Sequence, residues 1–350
     1  MTQLLSAILT NSRLKTFRKC IRLHQLKYEL GYRPVSDPEE LDFGSAIHSA
    51  LEAWWKAVQA GLPQDDWYVH AIAALRAFRA PSFDAYACAR AEAMISGYHA
   101  KWAGSSEEYE VLGVEERFDY ALVNPATNGR SPIWSVAGKL DVRVKRRSDG
   151  AHGFIDHKTS GEDIGPGTTY WARLKMDTQP STYFDGGASL GHELTFCLYD
   201  VLRKPGQRPL KATPLENRKL KKDGTPYANV RLEDETPEEY QARCMEAILK
   251  TADDGAAKYY QRGEVPRLES ELDAARWELW QQAAQLREAN NNKRHPRNPD
   301  ACTAMGSTCP FFAVCCGEAS LENPALFFRT DNVHPELGPT PTEAAESAAH

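Results

Sequence analysis

Two neighbouring stretches decide the fold: Trp134-Ser135-Val136-Ala137-Gly138-Lys139-Leu140-Asp141-Val142-Arg143-Val144 and Gly153-Phe154-Ile155-Asp156-His157-Lys158-Thr159. In the first, Trp134, Val136, Leu140, Val142 and Val144 alternate with Lys139, Asp141, Arg143 and Lys145, the two-residue period of a strand with one apolar and one charged face. Ser148-Asp149-Gly150 is a turn signal, so the second stretch reads as the returning arm of a hairpin. A turn centred on Asp149-Gly150 sets Asp141 opposite Lys158 and diagonal to Asp156, and a slip of two residues would keep all three on one face. Two carboxylates and a lysine on one strand face suit a hard divalent cation such as Mg²⁺ and phosphodiester hydrolysis beside it. Without further residues, the same pattern also describes a surface hairpin of alternating ion pairs.

Helical patterns flank this strand-like middle, which runs from about Glu110 to Ser160. Leu14, Phe17, Ile21 and Tyr28 mark one side of a helix from Ser12 to about Tyr28, and Ile47, Leu51, Trp54 and Val58 a second one after Gly44, with His48 beside the stripe. Further helices fit Ser82 to Trp102, Thr236 to about Arg262 and Leu268 to Ala289. Thr236-Pro237-Glu238-Glu239 is a capping box with proline at the first helical position. No internal repeat is present, and the alternation of helical and strand patterns gives an α/β class.

The 350 residues, 42% hydrophobic and 26% charged, describe a soluble globular chain and exclude collagen, wholesale disorder and a membrane bundle. Leu4 to Leu9 is too short and lacks the basic flank of a signal peptide, so a cytoplasmic location and no membrane partner are expected. The net charge of −6 means that a polyanion would be gripped by local patches. Three are evident: Arg13 to Arg33, with seven basic residues against Glu29; Arg203 to Lys222, with eight against Glu216; and Lys293-Arg294 with Arg297. Phe17, Tyr32 and Tyr227 lie among them as candidate stacking platforms. Residues 331–350 read as a disordered tail, Pro335 to His350 being rich in Pro, Ala, Glu and Thr.

Of eight cysteines, Cys88, Cys197 and Cys244 stand singly among apolar or helical neighbours, as buried thiols do. Cys302, Cys309, Cys315 and Cys316 crowd together near the end, with Pro310-Phe311-Phe312 between them.

Taken in order, Gly44-Ser45-Ala46-Ile47-His48, Gly138-Lys139-Leu140-Asp141, Ile155-Asp156-His157-Lys158-Thr159 and Gln179-Pro180-Ser181-Thr182-Tyr183 resemble the GxxxH, GxxD, D-x-K-T and QxxxY motifs of the RecB-like branch of the PD-(D/E)xK nuclease superfamily. The resemblance runs from Ser12 to about Gly317, although 63–109 and 202–263 carry no motif. It implies one nuclease domain over 1–330, with a central mixed β-sheet flanked by helices, a helical insertion at about 60–105, a catalytic core at about 110–200, and C-terminal helices with a cysteine cluster at about 236–317. It implies that His48, Asp141 and Asp156, with the backbone carbonyl of His157, bind Mg²⁺ or Mn²⁺, and that Lys158 is the catalytic lysine. Gln179 and Tyr183, four apart on a helix, would hold the substrate or the lysine. Glu115 or Glu116 would stand near the site, with no choice between them.

The cysteine trio Cys302, Cys309 and Cys315 resembles that of the iron–sulfur members of this branch, whose fourth ligand is N-terminal, the position that Cys20 matches. Four such thiolates suit a [4Fe–4S] cluster or, as a lesser alternative, zinc. Cys316 competes with Cys315. Closing a loop of about 280 residues would cost roughly 5 kcal/mol of chain entropy, below the 10–16 kcal/mol of thiolate–metal sites, so the cluster would staple both chain ends around the core.

The expected function is a metal-dependent deoxyribonuclease, an exonuclease acting on single-stranded DNA or DNA ends in recombination, repair or phage DNA metabolism. Without a helicase motif, any unwinding would come from a helicase or recombination partner. The alternative is a non-catalytic DNA-binding subunit that keeps the scaffold and the cluster. Retention of His48, Asp141, Asp156 and Lys158 speaks for the enzyme.

Overall fold

The protein was analysed as a computed structural model that describes residues 7–35, 39–219, 221–223, 225, 227, 230–250, 255–304 and 308–338. Its longest strand is β4 (Arg130–Arg146), paired along one edge with β3 (Tyr109–Val123). The other edge is shared. β1 (Ile8–Leu9) meets it in parallel at Ser135 and Val136, and β5 (His152–Ser160) runs antiparallel beside Val142 to Lys145. Between them, among the described residues, Ala137 to Asp141 has no strand partner on that edge. β6 (Phe196–Arg203) extends the sheet parallel to β5, and β7 (Tyr260–Val265) closes it antiparallel to β6. The result is the expected mixed sheet, built of six strands.

The Val142–Ile155 pair sets Asp141 level with Asp156, two residues from the expected register opposite Lys158. The cause is the turn. Arg146 N–H bonds the Ala151 carbonyl and Gly150 N–H the Arg146 carbonyl, each at 2.8 Å, and Gly150 takes φ 74°. Gly150 thus closes a four-residue loop in the left-handed region instead of lying at the centre of a two-residue turn.

Helices cover both faces of the sheet, because successive residues of β5 enter different cores. Ile155, with Val142 and Val144, packs against α3 (Glu39–Gln59), α4 (Gln64–Ala77), α5 (Ala85–Trp102) and α8 (Pro237–Leu249). Phe154, with Leu140, packs against α6 (Thr169–Lys175) and α7 (Gln179–Ser189). A third core joins Trp134 and Val136 to α1 (Asn11–Lys19) and α10 (Glu269–Asn292). The apolar stripe of β4 therefore is not a single face: Leu140 and Val142 go to opposite sides, and the reversal falls at Asp141. Next to it β3 carries Glu115 at φ 59°, the kind of local kink that re-aims side chains in a sheet.

Three expected elements differ. The helix from Ser12 breaks at Cys20 (φ −165°), giving α1, then α2 (Ile21–His24) and a π-helical turn at Gln25–Glu29. At the break the Asn298 amide donates to the Lys19 carbonyl (2.9 Å) and Arg22 N–H to the Pro296 carbonyl (3.1 Å), contacts 270 or more residues away in the chain. The helix from Thr236 has its capping box with Glu239 but ends at Leu249; α9 (Gly255–Tyr259) leads directly into β7, where pairing with the free edge of β6 outweighs helical preference. Near the end, α11 (Phe312–Cys316) precedes β8 (Phe327–Arg329), which pairs with β2 (Tyr32–Pro34). The stretch assigned to a tail from 331 is placed through Gly338, while 339–350 lie outside the described residues, as does Leu220 in the basic loop. Among the described residues, no helix is long and apolar enough to cross a membrane.

Candidate active site

The unpaired interval of β4 is where the sheet opens into a cavity of about 550 Å³. β5 brings Asp156 and Lys158 to it, α3 brings His48, and α7 brings Gln179 and Tyr183. His48, Asp141, Asp156, Lys158, Gln179 and Tyr183, the side chains expected to act on substrate or metal, all border this one space.

Gln179 ties the centre together. Its Nε2 donates to Asp156 Oδ1 and its Oε1 accepts from Lys158 Nζ, both at 2.9 Å. Lys158 Nζ also stands 2.5 Å from Asp156 Oδ2. Asp141 Oδ2 accepts the His157 backbone N–H at 2.9 Å and lies 3.6 Å from His48 Nδ1. A carboxylate thus takes the bond that a β4 carbonyl would take if the ladder continued, which is what lets the two strands part. The His157 ring points to the other face of the sheet, stacked 6.3 Å from Trp55 and 3.6 Å from Asp200 Oδ2.

Burial, and then Asp141 across the gap, push the Asp156 carboxyl up to about 6, although Lys158 pulls it down. Burial works against ionisation of Asp141 too, yet His48, His157 and Lys158 hold it below the usual carboxylate range. Glu115 is the residue that the sequence left undecided. Its kinked backbone aims it into the cavity, where it pairs with Lys139, whereas Glu116 turns away to Arg143 at 2.6 Å. Burial and the nearby Asp141 raise Glu115 to about 7. The strand period could not separate the two glutamates, because a kink breaks it.

The chemistry of these donors fits a hard divalent cation: carboxylates outnumber ammonium groups around the cavity, and oxygen ligands are what such a cation takes. Among the described residues, no three His, Cys, Asp or Glu side chains are drawn together into a ready metal cage, here or at the cysteines.

Gly138 explains the glycine of its motif. A Cβ there would stand 2.5 Å from Phe118 Cζ and 3.0 Å from Tyr183 Cε1. Gly138→Ala is expected to cost about 1–3 kcal/mol by overpacking and to displace the Tyr183 ring, read by urea unfolding.

Cys20, Cys302, Cys309 and Cys315 lie at the broken end of α1, away from Cys88 in α5, Cys197 in β6 and Cys244 in α8. All eight cysteines are free thiols. Burial raises Cys309, and Cys302, Cys315 and Cys20 raise it further; Cys315 likewise feels Cys20 and Cys302. Cys309 N–H bonds the Cys302 carbonyl at 2.8 Å. Cys316 is exposed.

A family model described as the PD-(D/E)XK nuclease superfamily matches residues 8–316, and no curated protein matches the chain. The chain belongs to the PD-(D/E)XK nuclease superfamily.

Proposed function

From that membership we propose that the chain is a divalent-metal-dependent deoxyribonuclease of the RecB-like branch, an exonuclease on single-stranded DNA or DNA ends. The observation that carries this reading is the Gln179 bridge, which fixes Asp156 and Lys158 against one cavity shared with Asp141 and His48. Asp141, Asp156 and His48, with the His157 carbonyl and with Glu115 close by, would hold Mg²⁺ or Mn²⁺. When bound, the ion supplies positive charge to the scissile phosphate and lowers the pKa of a coordinated water. Lys158, kept protonated by the two aspartates, places a donor at Nζ toward the phosphate, and Gln179 orients it. Tyr183, pushed well above its usual range by burial and the aspartates, keeps its hydroxyl proton as a further donor.

α1 starts beside the cavity at Asn11 and ends at Cys20, and its last-turn Arg18 and Lys19, with Arg22 of α2, would track a phosphate backbone. Recombination, repair or phage DNA metabolism, with a helicase or recombination partner, is the setting this activity suits. Digestion of 5′- and 3′-labelled single strands in Mg²⁺ or Mn²⁺, against EDTA, tests the reading and gives polarity. DNA binding without digestion under any metal would favour the non-catalytic subunit instead.

In the same reading, Cys20, Cys302, Cys309 and Cys315 would hold a [4Fe–4S] cluster, a placement supported by the contacts that bring Asn298 and Pro296 to the helix break at Cys20. Cys309→Ser is expected to lose the brown colour and roughly four irons per chain and to lower the melting temperature. A colourless wild type holding one zinc would replace iron with zinc, and metal content measured after anaerobic purification decides between them.

A further inference from the structure

The chain beyond β8 returns to the catalytic cavity. Arg33 Nη2 donates to the Val333 carbonyl at 3.0 Å, Val333 and Leu337 are buried, and His334 packs 5.5 Å from the Tyr28 ring. Pro335–Leu337 then makes one 3₁₀ turn whose residues border the same space as Asp141 and Lys158. Glu336 Oε1 accepts the Thr10 hydroxyl at 2.7 Å and lies 3.5 Å from His334 Nδ1. Thr10 in turn caps α1, accepting Arg13 N–H at 3.1 Å. Residues 326 positions apart are thereby locked together on one side of the cavity. Burial opposes the charge on Glu336, but His334 and Thr10 hold its carboxyl below the ordinary glutamate range, so it is anionic at neutral pH.

We propose that the turn Pro335–Leu337 is the end wall of the substrate cleft and that Glu336 makes the site read strand termini. A nucleotide linkage at the cavity can be followed by a terminal sugar, whose hydroxyl can donate to the carboxylate. It cannot be followed by another phosphate, whose charge the carboxylate repels in a partly desolvated wall. The wall is rigid rather than lid-like, since buried Val333 and Leu337 flank it. This inference rests on the nuclease reading and gives it a substrate class: free ends with a hydroxyl terminus beyond the cleaved linkage.

The test compares a linear single strand with its covalently closed circle, using wild type, Glu336→Gln, Glu336→Arg and, as background, Asp156→Asn. Wild type is expected to digest the linear strand and spare the circle, and both Glu336 variants to raise the circle-to-linear ratio roughly tenfold or more. Opening of circles by wild type at the linear rate overturns the proposal. So does an unchanged ratio in the isosteric Gln variant, or an equal rise on both substrates, which would make the turn a competitor of DNA. Linear digestion by wild type no faster than the Asp156→Asn background removes the nuclease reading itself, a different failure.

Discussion

Lys158→Ala is expected to slow strand cleavage by roughly 10²–10³-fold, the loss typical of removing one fixed donor from a site where charge develops. The size follows from how completely the ammonium is committed. Lys158 Nζ reaches Asp156 Oδ2 at 2.5 Å and Gln179 Oε1 at 2.9 Å, and lies 5.6 Å above the Tyr199 ring. The other ammonium bordering the cavity, Lys139, is paired with Glu115 and makes neither contact. Truncation also leaves Asp156, already raised by burial and by Asp141, without its strongest attraction. Lys158→Met, which keeps the stem packed, separates the two effects: it should match Ala in lost cleavage but unfold at higher urea. Asp156→Asn should lose at least as much activity while keeping the Gln179 bond through Oδ1. Initial rates in Mg²⁺ or Mn²⁺ with folded protein decide the matter, and rates within about threefold of wild type for both residues would sink the assignment.

Much of this site was legible because the chemistry rides on short local spacings. Asp156 and Lys158 are two apart on a strand, Gln179 and Tyr183 four apart on a helix, and His48 follows an apolar stripe. What escaped depends on contacts that spacing cannot encode. The register slipped by two because Gly150 closes a longer turn than its Asp-Gly signal suggests. Glu115 could not be told from Glu116 because its backbone leaves the strand period. The start of β7 carries a helical pattern, and the edge of β6 that recruits it lies about 60 residues earlier in the chain. The break at Cys20 is drawn out by Asn298 and Pro296, and the Thr10–Glu336 contact joins the two ends of the chain.

Asp200→Ala is expected to cost about 3–5 kcal/mol, the largest stability loss of any single change considered, because it leaves a buried charge uncompensated. Asp200 is fully buried on β6, across the ladder from Arg262 of β7. It accepts from Tyr98 Oη at 2.6 Å and from Arg262 Nη2 at 3.0 Å. Arg262, its guanidinium 4.1 Å from the Trp102 ring centre and 5.9 Å from that of Trp55, would be left with two aromatic faces and the Tyr98 hydroxyl. The second oxygen of Asp200 has no hydrogen-bond partner among the described residues, so the pair is imperfectly solvated by the protein. That imperfection makes a double variant informative: Asp200→Leu with Arg262→Met removes both charges and should recover most of the loss, as buried pairs replaced together often do. The same carboxylate also stands 3.6 Å from His157 Nδ1, on the far face of the strand that carries Asp156 and Lys158. The double variant, though stable again, should therefore cleave more slowly than wild type, since His157 loses its charged neighbour while its backbone N–H holds Asp141. Urea unfolding of the two single variants and the double one, with cleavage measured on each while folded, separates the two roles. A cost below about 1 kcal/mol for Asp200→Ala would show that the buried pair does not hold β6 to β7.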